Sequence, residues 1–68
     1  MSKIRVKLSR ILGDRRITQA KLAELTKLSP RTINKLYNED VTSIRFDTLS
    51  SICKALKCGV GDILEFHP

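Results

Sequence analysis

Gln19 to Leu36, QAKLAELTKLSPRTINKL, holds two short helical patterns with a break of about three residues between them. Thr18, just ahead, has the character of an N-cap: its hydroxyl can accept from a backbone N–H that the first turn leaves unpaired. Leu22, Ala23 and Leu25 fall on an inner face, with Lys21 and Glu24 outside, and the pattern stops near Thr26. Ser29-Pro30 then opens a second helix. Serine is a favoured cap, and proline at the first helical position sacrifices no intrahelical bond. Ile33, Leu36 and Tyr37 make its inner face, while Arg31, Thr32, Asn34, Lys35 and Asn38 make a polar and basic outer face. Helices this short joined by so tight a turn must cross steeply, and the crossing needs a small residue, which Ala23 supplies.

Working outward, the spacing predicts three further helices. Leu8, Ile11 and Leu12 give a first helix from Lys7 to about Asp14, with Gly13 at its end and Arg15, Arg16 and Ile17 as connection. Asn38 to Ser43 reads as a loop of turn formers and acids. Leu49, Ile52, Cys53 and Leu56 fall at i, i+3, i+4 and i+7, a helix starting near Phe46 and Asp47 and stopping before Cys58-Gly59. A short last helix runs from Val60 to Leu64, with Ile63 and Leu64 inward. Glu65-Phe66-His67 finishes extended and can pair with Ile4–Val6 as a two-stranded ribbon.

Sixty-eight residues make one domain. Hydrophobic residues are 41% of the chain, enough for one core, yet no segment approaches the ~20 apolar residues of a bilayer span. With no apolar run after the basic N-terminal residues there is no sign of a secretory leader. A cytoplasmic location is the expectation. Residues 1–38 carry ten Lys or Arg against Asp14 and Glu24; residues 39–68 carry three basic residues against five acids. One basic half suggests a face directed at a polyanion, although +6 on so small a domain also serves plain solubility. Cys53 and Cys58 match no zinc ribbon or redox pair, and with His67 they would still lack a fourth ligand. They read as a small apolar core residue and a residue near a helix end. No metal or cofactor is expected.

The stretch from Gln19 to Leu36 resembles the phage-repressor (Cro-like, xenobiotic-response-element) helix-turn-helix family, with Gln19, Ala23, Leu28, Ile33 and Leu36 at the motif positions. FDTLSSICKALKCGVGDIL (46–64) resembles that family's last two helices, so the likeness covers about sixty residues. It implies an all-α, five-helix, lambda-repressor-like domain over residues 1–68, with the motif at about 18–37. It implies binding of double-stranded DNA by a transcriptional regulator, a repressor acting by promoter occlusion, with the helix from Pro30 in the major groove. In the family the turn usually has glycine where this chain has Lys27. A left-handed backbone there costs lysine roughly 1 kcal/mol. Either the turn differs slightly or the strain is tolerated.

Carried over by position, the resemblance makes Arg31, Thr32 and Lys35, with Asn34 alongside, the residues facing base edges. Thr18, Gln19, Lys27, Ser29 and Asn38 become contacts to the DNA backbone, and Gln19 also braces the reading helix. The side-chain chemistry agrees independently. Arginine can donate twice to guanine O6 and N7, threonine offers a hydroxyl and a methyl suited to thymine, and lysine can reach guanine acceptors. Each residue also has a plainer role: Arg31 and Lys35 as a solvated face, Ser29 as a cap, Tyr37 as packing. Lys3, Arg5, Lys7, Arg10, Arg15 and Arg16 supply at most unspecific phosphate attraction.

Because one reading helix covers a half-site, a homodimer is expected, formed through the last two helices or the terminal ribbon and assembled in solution or only on DNA. No small-molecule effector is evident. The same fold could instead serve as a protein-interaction module, such as an antitoxin or adaptor, but a protein-binding face should be richer in aromatic and aliphatic anchors than Arg31, Thr32, Asn34 and Lys35. Catalysis has little support: His67 is the only histidine, the acids are scattered, and no glycine-rich phosphate loop is present.

Overall fold

The computed structural model describes residues 3–68. In chain order it runs β1 (Ile4–Val6), α1 (Leu8–Arg15), α2 (Gln19–Thr26), α3 (Pro30–Tyr37), α4 (Phe46–Leu56), α5 (Val60–Ile63) and β2 (Leu64–Phe66). The two strands pair antiparallel, Ile4 opposite Phe66 and Val6 opposite Leu64. Two further backbone bonds extend the ribbon at its ends, from Lys7 N–H to the Ile63 carbonyl (2.6 Å) and from His67 N–H to the Lys3 carbonyl (2.7 Å). Residues 3–7 and 63–67 are thus joined along one ribbon.

Every helix contributes to one core. Leu8 and Leu12, Leu22, Ile33 and Leu36, Ile52 and Leu56, and Ile63 are all at most 2% exposed. Ala23 is buried, in keeping with the close α2–α3 contact expected of it. Leu25 departs from expectation and is 48% exposed. At 100° per residue the inward stripe of α2 is centred between Leu22 and Ala23 and takes in the half-buried Gln19 and Thr26. Leu25 falls beyond its edge.

The helix starts follow local chemistry. Thr18 Oγ1 accepts from Lys21 N–H (3.0 Å), Ser29 Oγ accepts from Thr32 N–H (3.1 Å), and Asp62 Oδ2 accepts from Gly59 N–H (3.0 Å) ahead of α5. The ends are less expected. Gly13 lies inside α1, which runs on to Arg15, and the left-handed residue that stops it is Arg16 (φ 55°). Glu39 (φ 57°) follows α3 and Lys57 (φ 51°) follows α4. In all three the next N–H reaches back five residues: Ile17 to Leu12, Asp40 to Lys35 and Cys58 to Cys53. This is the Schellman arrangement, which satisfies carbonyls that a helix end otherwise leaves open. Cys53 and Cys58 are half-buried against the core at that last cap, and burial pushes the Cys58 thiol pKa up. The last helix also stops one residue earlier than expected: Leu64 is extended and pairs with Val6. The Ile63 carbonyl, already taken by Lys7 N–H, ties this change of direction to the ribbon.

After α2 the left-handed residue is Lys27 (φ 60°, ψ 21°), so the strain is tolerated rather than avoided. Thr26 stabilises the turn: its hydroxyl donates to the Leu22 carbonyl (2.7 Å) and accepts from Leu28 N–H (3.3 Å). Lys27→Gly relieves about 1–2 kcal/mol of side-chain strain and loses about 0.5–1 kcal/mol to the freer unfolded chain. The expected result is a rise of a few degrees in the thermal unfolding midpoint, measured by circular dichroism.

Candidate nucleic-acid interface

The α2–α3 pair divides its residues sharply. On α3, Ile33 and Leu36 are buried, while Pro30, Arg31, Asn34 and Lys35 are exposed. The polar side of α3 therefore faces away from the protein interior. Thr32 is the exception among the expected outer residues. It is half-buried, and its hydroxyl lies 2.9 Å from that of Ser29, the cap. Tyr37 is half-buried against the core, in keeping with a packing role.

A chain of amides crosses from one helix to the other. Asn34 Nδ2 donates to Gln19 Oε1 (3.2 Å), and Asn38 Nδ2 donates to Asn34 Oδ1 (3.2 Å). Gln19 stands in the first turn of α2, so the bond fastens the middle of α3 to the start of α2. The residues expected at bases and backbone fall into three groups. Thr18, Ser29 and Thr32 are engaged at helix starts; Gln19, Asn34 and Asn38 form the amide chain; Lys27, Arg31 and Lys35 are exposed. Among the described residues no ion pair is made by Lys27, Arg31 or Lys35.

The same holds for Lys3, Arg10, Arg15, Arg16, Lys54 and Lys57, whereas four other cations are paired. Lys7 pairs with Glu65 (3.3 Å), Lys21 with Glu24 (3.8 Å) and Arg45 with Asp47 (3.5 Å). Arg5 is held most closely: its Nε and Nη2 donate to the two carboxylate oxygens of Glu39 at 2.8 and 2.9 Å. Val6 N–H adds a third bond to that carboxylate (3.0 Å). The Arg5 hydrogen bond, then the Val6 N–H, hold the Glu39 pKa down at about 2, and Glu39 in turn raises that of Arg5. The sequence reading missed this pair. Its partners are 34 residues apart, and each alone looks like an ordinary surface charge. The Asn34–Asn38 bond did have a local signal, the i, i+4 spacing on one helix.

No helix among the described residues is long and apolar enough to cross a membrane. Residues 7–68 match the family model of the Cro/C1-type HTH DNA-binding domain. The chain is also 37% identical over 57 residues to a Bacillus subtilis (strain 168) protein named as an uncharacterized HTH-type transcriptional regulator, YozG, the alignment covering 84% of this chain and 68% of that one. A family match over nearly all of the chain, a relative of that similarity and a five-helix body presenting the polar side of α3 agree: the chain belongs to the Cro/C1-type helix-turn-helix DNA-binding domain family.

Proposed function

We propose that this regulator reads a specific duplex sequence with α3 in the major groove and represses transcription by occupying a promoter as a homodimer. The observation that carries the reading is the exposure of Arg31, Asn34 and Lys35 on a helix whose opposite side is locked into the core by Ile33 and Leu36. A major groove admits one helix, and these side chains suit its acceptors. Arg31 and Lys35 are the principal base readers. Thr32 and Asn34 read bases from more restrained positions. Thr18, Gln19, Lys27, Ser29 and Asn38 meet the DNA backbone, with the two helix N-termini turning free N–H groups and partial positive charge toward phosphates. The dimer forms through the ribbon or the last two helices, where Ile4, Phe66 and Val60 remain 47%, 62% and 52% exposed.

Selection from a random duplex pool tests this directly. The expected product is an inverted repeat whose half-sites are centred about one helical turn, roughly 34 Å, apart. Its affinity should fall linearly on logarithmic axes as salt rises, by about 0.9 in slope per phosphate neutralised. A pool recovered without enrichment rejects sequence-specific reading. Sedimentation with the selected duplex tests the stoichiometry, and one protomer per duplex rejects the dimer.

A further inference from the structure

We infer that Glu39 and Arg5 form a clamp that fixes how α3 is presented to the duplex, which makes Glu39 a positioning residue for base reading. The inference rests on the proposal that α3 is the reading helix.

Glu39 occupies a left-handed backbone position (φ 57°) that favours glycine. What glutamate brings there is its carboxylate, which accepts both Arg5 donors and Val6 N–H. The backbone of Glu39 belongs to the end of α3. Its N–H bonds the Leu36 carbonyl at 3.1 Å, and that of Asp40 bonds Lys35 at 2.8 Å. Arg5 belongs to β1, which pairs with β2 and is continuous with the bond from Lys7 to Ile63 at α5. The clamp therefore fastens the exit of α3 to the ribbon, while Gln19 fastens its middle to α2. A two-pronged arginine–carboxylate pair fixes direction as well as distance, as a single-point contact does not.

The clamp also withholds Arg5 from phosphates. Opening it from the Glu39 side has two opposite effects. The pose of α3 relaxes, which weakens reading of the right sequence. A negative charge is lost and a cation is freed, which strengthens attraction to any duplex. Opening it from the Arg5 side relaxes α3 in the same way but removes the cation.

The test compares binding to the selected duplex and to a scrambled one, for the parent, Glu39→Gln, Arg5→Gln and the double variant. Each is measured well below its own unfolding midpoint. Both single variants are expected to lose about tenfold in the ratio of the two affinities, the equivalent of one well-placed base contact. Binding to the scrambled duplex should hold or rise for Glu39→Gln and fall for Arg5→Gln. The double variant should discriminate no worse than either single one, since the second change removes nothing further. Variants that melt earlier but keep the parent's ratio would overturn the clamp's positioning role and leave α3 reading intact. A parent that does not discriminate removes the reading of α3, and the inference with it.

Discussion

Replacing Ile33 by alanine is expected to remove a large part of the domain's stability. Ile33 is fully buried, in the middle of α3 and within the single core. Truncating such a side chain typically costs about 2–5 kcal/mol, because transfer energy is lost and the space left closes only partly. A domain of this length has roughly 3–10 kcal/mol in all, at 0.05–0.15 kcal/mol per residue. One substitution therefore removes between a fifth of the stability and all of it. Urea unfolding followed by helical circular dichroism should show a much lower midpoint, and DNA binding should be lost in proportion to the folded fraction. A urea midpoint only slightly lowered would mean that neighbouring core side chains collapse into the vacated space. The position matters for function because α3 has no fold of its own. Its eight residues are too few for a stable isolated helix, so its polar side is displayed only while its apolar side is buried.

The parts of this fold that were legible in the sequence are those decided within one helical turn. Thr18 and Ser29-Pro30 mark helix starts by chemistry that involves their immediate neighbours, and both caps are formed. Leu49, Ile52 and Leu56 carry enough periodicity to place α4 without tertiary information. Where the decision passes to distant partners, the reading slips. Leu64 looks like the end of an apolar helix until Val6 pairs with it. Leu25 is as apolar as Leu22 and differs only in lying beyond the edge of a stripe whose centre is set by where α3 and α4 cross. The helix ends at Arg16, Lys27, Glu39 and Lys57 carried no glycine to announce them.

The candidate site divides the same way. The amphipathic contrast of α3 is local, so the exposure of Arg31, Asn34 and Lys35 could be read from spacing. The brace from Gln19 to Asn34 joins residues 15 apart and was reachable only through the family resemblance. The Arg5–Glu39 clamp had no such route, because the resemblance supplies no role for either residue. Thr32 shows the opposite error. Its spacing puts it on the outer face, but it is half-buried, with its hydroxyl 2.9 Å from that of Ser29.

Arg31→Ala should lower the affinity for the selected duplex by about 1–3 kcal/mol, roughly 5- to 150-fold, and relax the preference at one base pair. Arg31 follows Pro30 in the first turn of α3, the end of a reading helix that approaches base edges. It is exposed and makes no ion pair among the described residues, so its loss should leave the unfolding midpoint nearly unchanged. That separates it from Ile33→Ala, where binding falls only because the fold does. Lys21→Ala gives the second contrast. Lys21 is exposed on α2, and its weak pair with Glu24 contributes little to stability. Its charge near the start of α2 is expected to act on phosphates alone, so its loss should weaken binding to every duplex alike and reduce the salt slope by about one. The two substitutions remove the same charge and therefore lose the same long-range attraction. What distinguishes them is geometry: two donors in a fixed fork can match O6 and N7 of one guanine, and no other base edge offers that pair of acceptors. If Arg31→Ala costs the same on every sequence, with a reduced salt slope, Arg31 is a phosphate anchor and the base-reading role passes to Lys35 and Asn34.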